Sequence, residues 1–159
     1  MFLRVVDMDV KCSFIVSFFY FVRYLYVSNN FILRLVSIPV FITYRFIVYW
    51  VLGTDIHHKT KIGKNMKIYH GVGTVINPNS VIGDNLIIRH GVTIGNYISK
   101  SGVTGSPVIG NDVELGCGSV ILGNIVIGSN VKINANSIIT TNVPNNSTCF
   151  GFNNIKTKN

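Results

Sequence analysis

An aliphatic residue recurs at every sixth position through most of the chain. The repeat is unbroken over residues 109–139, and the same spacing appears earlier over residues 56–68 and 76–94. Two departures break it, a two-residue stutter after residue 68 and a longer gap between residues 94 and 109. A fixed short period of this extent is typical of a solenoid, in which each unit buries its apolar face by stacking on its neighbours.

A period of six predicts a triangular β-helix with one short strand on each of three faces. A β-sandwich would instead show period-two strands separated by irregular loops. Small or turn-forming residues follow many of the aliphatic positions, and glycine supplies backbone angles there that other residues reach only at a cost. We therefore expect an all-β solenoid over residues 54–143, with a loop insertion at 95–107.

Residues 1–53 differ from the rest because they are rich in Phe, Tyr, Val and Ile and contain a single glycine. Ser28, Asn29 and Asn30 predict a helix break and an N-cap, and Pro39 is predicted to interrupt the second apolar stretch. This pattern predicts a short helical segment of two or three helices ahead of the β-helix. Residues 144–159 are predicted to form a tail that is frayed or makes a short cap.

The apolar surface of the helical segment needs a partner. The longest uncharged apolar run, residues 12–22, is shorter than the ~20 residues that a membrane-spanning helix needs. Packing within the protein is the expected use of this surface. Peripheral membrane contact stays open as an alternative, because Arg34 and Arg45 would lie on the same side of an unbroken helix.

The composition of the chain limits the kinds of partner that it is expected to bind. A hydrophobic content of 48% with only 13% charged residues argues against disorder. The net charge of +8 comes from scattered basic residues, which favours an anionic small molecule or membrane surface over nucleic acid. Cys12, Cys117 and Cys149 are far apart and lack zinc-site spacing, so we predict a reducing cytoplasm and no metal.

Two of the four histidines share a position in the repeat. His70 and His90 each follow an inward aliphatic residue by two positions, which predicts the same corner on consecutive coils, about 4.8 Å apart. Neighbouring imidazoles disfavour each other's protonation, which would keep one neutral near pH 7, as a general base must be. The alternative is that both are solvated corner residues. His57 and His58 fall out of step and are expected at the surface.

Other chemistry is thinly represented. The sequence offers no paired carboxylates, no phosphate-binding loop and no nucleophile elbow. It therefore favours direct transfer to a bound hydroxyl over a covalent intermediate.

Four motifs follow one another along the chain: residues 54–57 (TDIH), 69–71 (YHG), 89–95 (RHGVTIG) and 121–125 (ILGNI). Together they resemble the hexapeptide-repeat acyltransferases of the serine acetyltransferase branch, and within it the colanic-acid and capsule acetyltransferases. The resemblance implies a left-handed parallel β-helix, homotrimers that are sometimes paired, and acetyl-CoA as a co-substrate in the groove between adjacent β-helices.

The resemblance also implies roles for individual residues. His70 corresponds to the histidine that removes the proton from the acceptor hydroxyl, Asp55 to the carboxylate that orients it, and His90 is expected to assist. An aspartate bound to the far ring nitrogen would fix the tautomer and stabilise the imidazolium. The residues expected to bind acetyl-CoA are Gly95, Asn96, Gly116, Cys117, Lys132 and Ala135.

Two departures from serine acetyltransferases bear on the acceptor. Tyr69 stands where that branch has an aspartate, and Ser106 lies where it has an Arg-His pair. Tyr69 is a platform on which a sugar ring can stack. We therefore predict that Tyr69, Arg89 and Ser106 contact a saccharide acceptor.

The predicted function is acetyl-CoA-dependent O-acetylation of a sugar hydroxyl in a capsular or exopolysaccharide. The predicted location is the cytoplasm, where association with the inner face of the cell membrane stays open. Serine O-acetylation is the alternative enzyme, and a non-catalytic β-helical scaffold is the alternative from another class.

Overall fold

The computed structural model describes residues 9–98 and 104–157. Apart from one hairpin and the last strand, consecutive short strands alternate among three parallel sheets, which form the faces of a triangular β-helix of about four turns preceded by two helices. The predicted parallel β-helix of hexapeptide repeats with a helical lead-in is confirmed.

Each face is a ladder of strands from successive coils. Sheet 1 contains β1 (Asp55–Ile56), β4 (Val75–Ile76), β7 (Thr93–Gly95), β12 (Val120–Leu122) and β15 (Ile138–Ile139). Sheet 2 contains β2 (Lys61–Ile62), β5 (Val81–Ile82), β10 (Val108–Ile109) and β13 (Val126–Ile127). Sheet 3 contains β3 (Lys67–Tyr69), β6 (Ile87–Arg89), β11 (Glu114–Leu115), β14 (Lys132–Ile133), β16 (Ser147–Phe150) and β17 (Asn154–Thr157).

The inward positions are the aliphatic residues of the six-residue repeat. Every one of them is buried, and they form one continuous core cluster with the first helix. Alternate strand residues point to opposite faces, so a single aliphatic position per strand is enough to fill the interior. The sequence period therefore directly fixes which side chains build the core.

The stutter lengthens the first coil. Ile56 pairs with Ile76 and Ile76 pairs with Ile94, separations of 20 and 18 residues (76 − 56 and 94 − 76). The two extra residues fall at the corner after β3, and they give that corner a different backbone path from the corners below it. This corner carries His70.

Two helices and a π-helical extension precede the β-helix: α1 (Val10–Val27), α2 (Phe31–Tyr44) and the π-helical segment Arg45–Val51. The predicted cap at Asn30 is confirmed, because its side chain accepts hydrogen bonds from Ile32 N at 2.9 Å and Leu33 N at 3.4 Å. The predicted interruption at Pro39 is wrong, since α2 runs through it. Pro39 is exposed, so the helical hydrogen bond it cannot make is lost at the solvent side.

Helix α1 is attached to the first coil by side-chain contacts. Tyr20 donates its hydroxyl hydrogen bond to Gly63 O, and Arg23 donates to Thr60 O at 2.8 Å. Cys12, Ile15 and Phe19 are fully buried. The helix thus closes one end of the β-helix, and packing within the protein, as expected, accounts for its inner face.

The C-terminal segment forms a cap. Strand β16 extends sheet 3 in parallel, with Cys149 opposite Ile133, and β17 then pairs antiparallel with β16. Antiparallel pairing ends the parallel ladder at this end of the solenoid.

The predicted loop insertion begins and ends as a hairpin of β8 (Tyr97–Ile98) and β9 (Thr104–Gly105). Residues 99–103 of that insertion lie outside the described residues.

Candidate active site

One edge of the prism, where sheet 3 turns into sheet 1, carries His70, His90, Cys117 and Ala135; we call it the histidine edge. The rings of His70 and His90 lie 6.4 Å apart between centroids and are inclined at 65°. The prediction that they occupy the same corner on consecutive coils is therefore confirmed. The separation exceeds the strand spacing because the stutter displaces the first corner.

His70 has an unusual backbone conformation. Its φ is +56°, in the left-handed region that non-glycine residues adopt sparingly. The Val72 amide donates back to the His70 carbonyl at 2.6 Å, which closes the tight turn that the stutter creates. The His70 side chain is 78% exposed. The turn therefore holds the imidazole out of the corner, where an acceptor can reach it.

Asp9 is the carboxylate that approaches His70. Its Oδ2 lies 3.7 Å from His70 Nδ1, while its Oδ1 caps α1 by accepting from Cys12 N at 2.7 Å. The hydrogen bonds from Cys12 lower the pKa of Asp9, and the nearby His70 adds to this. Sequence reasoning missed this residue. An aspartate before an apolar run is an N-cap signal, but the signal does not reveal where the capped helix end docks.

Asp55 makes a different contact from the one expected. Its carboxylate forms an ion pair with Arg45 of the π-helical segment, and the Arg45 guanidinium also lies 4.6 Å from the centre of the Tyr49 ring. Among the hydrogen bonds and ion pairs of the described residues, no contact joins Asp55 to His70. The predicted pairing is thus not formed within this single chain, because the helical segment supplies Asp55 with a cation.

A group of charged residues lies on sheet 3 beside the histidine edge. Glu114 contacts Arg89 Nη2 at 3.2 Å and Lys132 Nζ at 3.5 Å, so one carboxylate is shared by two cations. The Arg89 guanidinium also lies 5.7 Å from the centre of the Tyr69 ring. This face carries a surplus of positive charge, which suits an anionic ligand.

Gly116, Cys117 and Ala135 lie below the two histidines on the same edge. A Cβ on Gly116 would stand 2.4 Å from the amide nitrogen of Ala135, so the glycine permits close stacking of two coils. Cys117 is half-buried and Ala135 is exposed. These small side chains leave a smooth strip beside His90.

Gly95, Asn96 and Ser106 lie at another edge, where sheet 1 turns into sheet 2; we call it the loop edge. Ser106 Oγ donates a hydrogen bond to Asn77 Oδ1 at 3.2 Å. Gly95 packs against Leu122, since an added Cβ would meet Leu122 Cδ2 at 2.9 Å. A cleft of about 290 Å³ here is lined by both Gly95 and Asn96 and by Asp55.

The predicted site residues thus form two groups in one chain. The histidine edge and adjoining sheet 3 hold one group: Tyr69, His70, Arg89, His90, Gly116, Cys117, Lys132 and Ala135. The loop edge and its cleft hold the other: Asp55, Gly95, Asn96 and Ser106. His70 and Asn96 thus lie at opposite ends of the sheet 1 strands, whereas Asp55 is the first residue of β1 and lies on the sheet 1 face between the two edges.

The expectation that His58 is a surface residue is wrong. Its side chain is buried between α1 and α2, with ring centroids 4.6 Å from Tyr26 and 4.0 Å from Phe41. Burial, helped by the nearby His57 and Lys59, lowers the pKa of His58 to about 4. His57 is half-buried rather than fully exposed, with its ring 4.3 Å from that of His58. Both corrections have one cause, since the helices cover this corner of the first coil.

Residues 106–141 match the family described as bacterial transferase hexapeptide (six repeats). No curated protein sequence matches the chain. Among residues 9–98 and 104–157, no group of three or more His, Cys, Asp or Glu side chains could hold a metal ion.

Solved serine acetyltransferases are similar in structure. The Entamoeba histolytica isoform 3 enzyme is 35% identical with a TM-score of 0.68, over 86% of this chain and 46% of the other. The Neisseria gonorrhoeae enzyme is 32% identical with a TM-score of 0.72, over 89% and 52%. The soybean apoenzyme is 30% identical with a TM-score of 0.70, over 88% and 55%. The chain spans about half the length of these structures.

Proposed function

We propose that this protein, whose β-helix is built from bacterial transferase hexapeptide repeats, transfers an acetyl group from acetyl-CoA to a hydroxyl acceptor. The observation that carries the proposal is the exposed His70 imidazole, which the lengthened corner holds beside His90 and Asp9. Similarity to serine acetyltransferases over most of the chain supports the same chemistry.

In the proposed reaction His70 acts as the general base. It takes the proton of the acceptor hydroxyl as that oxygen attacks the thioester carbonyl, and the tetrahedral intermediate then expels the coenzyme A thiolate. The thiolate takes up the proton from the imidazolium, so no proton is left over. Asp9 lies on the Nδ1 side of the ring, where a carboxylate stabilises the imidazolium and orients the ring.

The charged group on sheet 3 supports binding of coenzyme A. Its phosphates are anionic, and Lys132 and Arg89 supply two cations for one Glu114 carboxylate. The strip of Gly116, Cys117 and Ala135 next to them has small side chains that allow an extended chain to lie close to the backbone.

A homotrimer would complete the site. In a single chain the loop edge, with Asn96 and Ser106, lies at the far end of the sheet 1 strands from His70. A closed ring of three chains can bring the loop edge of one chain against the histidine edge of the next. We propose that the acceptor and acetyl-CoA bind in that groove.

Serine is the acceptor that the comparisons favour. The similar solved structures are serine acetyltransferases, whereas the saccharide acceptor expected from the sequence has no counterpart among them. Serine therefore comes first among the proposed acceptors.

A saccharide is the second candidate, on one observation. Tyr69 directly precedes His70 in the sequence, and the Arg89 guanidinium on sheet 3 lies 5.7 Å from the centre of the Tyr69 ring. An aromatic face of this kind suits a sugar ring better than the charged groups of an amino acid.

Release of free coenzyme A from acetyl-CoA tests the proposal, with serine and capsule-type oligosaccharides as acceptors. The informative variant is His70→Asn, because asparagine tolerates the left-handed backbone that alanine would strain. We expect it to retain the fold and lose roughly a hundredfold or more in turnover. Full activity in the folded variant would rule out His70 as the base. Absence of turnover with every acceptor by the wild type would favour the scaffold alternative.

Two further variants test which carboxylate, Asp9 or Asp55, supports His70. Asp9→Asn should lower turnover and shift its pH dependence if Asp9 supports His70. Asp55→Asn should do so only if the assembled protein moves Asp55 from Arg45 to His70. Comparable losses of thermal stability in both would identify purely structural effects.

A further inference from the structure

The helix formed by α2 and the π-helical segment exposes an apolar surface along its whole length. Of its 21 residues, those that are buried are Ser37, Tyr44 and Val48, which make a narrow stripe facing inward. The opposite side carries Phe46 at 62% and Trp50 at 74% exposure, among many others. We call the following set the outer apolar face: Phe31, Ile32, Leu35, Ile38, Ile42, Phe46 and Trp50.

The exposed apolar side chains of this face are contiguous. Scattered apolar side chains on a surface need no explanation, whereas a contiguous patch marks an interaction surface. Members of the outer apolar face at positions 35, 42 and 46 repeat at helical spacing, so they form one continuous stripe.

The charges around the face favour an anionic partner. From residue 10 to residue 54 the chain has no acidic residue. Arg45 is paired with Asp55 and Arg23 binds backbone carbonyls of the first coil, but Arg34 is exposed beside the face and Lys59 is exposed near it. A second copy of the same surface would bring like charges together, which disfavours self-association. An anionic lipid surface attracts the same charges.

A groove extends the apolar surface into the molecule. It has a volume of about 560 Å³ and is lined by Phe31 and Leu35 of the outer apolar face and by Arg34, His58 and Lys59. His58 is 5% exposed, and its Nδ1 has no hydrogen-bond partner within the described residues. The groove thus combines an apolar wall with cationic and polar groups, which suits the boundary between lipid headgroups and acyl chains.

The contacts between the helices and the first coil limit the orientation in which the helices can contact a membrane. By length and composition alone, residues 10–27 and 31–51 could each cross a bilayer. Buried Tyr44, however, donates a hydrogen bond to Ile56 O at 2.7 Å, so the middle of the second helix is fixed to the first coil. A spanning orientation would carry strand backbone into hydrocarbon, which is costly.

We propose that the outer apolar face docks in the plane of an anionic lipid membrane, with Arg34 and Lys59 at the headgroups. The β-helix then stands on the membrane with its first coil nearest the lipid. Trp50 and Tyr49 at one end of the face are residues that favour the membrane–water boundary.

Co-flotation with vesicles tests the proposal. The full chain is mixed with phosphatidylcholine vesicles, with or without phosphatidylglycerol, at low and high salt. We expect stronger binding to the phosphatidylglycerol vesicles, weakened by salt. Phe46→Gln combined with Trp50→Gln should lower partitioning more than about tenfold, because apolar burial drives insertion. Arg34→Gln should cost about fivefold on anionic vesicles and little on neutral ones.

Phe152→Gln is the matched control. Phe152 is 70% exposed at the opposite end of the chain, so its loss should leave vesicle binding unchanged. Folded wild type that fails to float, or a double variant that floats equally well, would overturn the proposal. A smaller assembly of the double variant in lipid-free solution would also overturn it, by assigning the face to contact between copies.

Discussion

The β-helix and the helical segment are both strongly apolar, but they direct their apolar side chains in opposite ways. In the β-helix the repeating aliphatic residues are buried almost completely, and Leu115 has no exposure at all. In the second helix most large side chains face outward, as Phe46 does. Apolar content alone therefore does not distinguish a core from a docking surface. The period of the apolar positions shows which side chains share a face. The partner that covers a face must also be known before that face can be assigned to a core or to a docking surface.

Truncating one apolar side chain in each region tests this difference most strongly. Leu115→Ala should lower the free energy of unfolding by about 3 kcal/mol, because it opens a cavity in a closely packed core. Phe46→Ala should change it by less than about 0.5 kcal/mol in lipid-free solution, because its side chain contacts mostly solvent. Denaturant unfolding of the two variants measures both effects. Similar losses would mean that the outer apolar face is covered within the protein.

The contact between the two regions should weaken in acid through His58. Its pKa is about 4 in the folded protein against an ordinary 6.5, so below pH 6.5 the unfolded chain binds a proton that the folded chain does not. Stability should fall as the pH drops from 6.5 towards 4, by on the order of 2 kcal/mol. His58→Phe should flatten this part of the stability profile relative to wild type. An unchanged slope would show that other groups cause it.

A single buried hydrogen bond is the smallest test. Tyr44 is 1% exposed and donates to Ile56 O, and burial raises the pKa of its hydroxyl, which keeps it a donor at ordinary pH. Tyr44→Phe should lower the free energy of unfolding by about 1 kcal/mol, since the carbonyl loses its partner. Tyr24→Phe, at an exposed position of α1, is the control and should have little effect. Equal losses would argue against a specific tie at Ile56.

The sequence predicted a residue's environment correctly where that environment follows from the residue's position in the six-residue repeat. The inward aliphatic positions, the lengthened first coil and the pairing of His70 with His90 all follow from counting residues along a regular ladder. The cap at Asn30 was also predictable, because capping is local. Pro39 does not break α2 because it is exposed, so the helical hydrogen bond that it cannot make is lost at the solvent side.

The sequence by itself determined the solenoid, because a six-residue period places one aliphatic side chain of each strand in the interior. What only the tertiary structure decided is the docking of distant segments on that solenoid. Docking of α1 brings Asp9 to His70, 61 positions further along the chain (70 − 9), and docking of the second helix gives Asp55 to Arg45 and buries His58. These contacts depend on where helix ends land in space, and no local pattern in the sequence encodes that position.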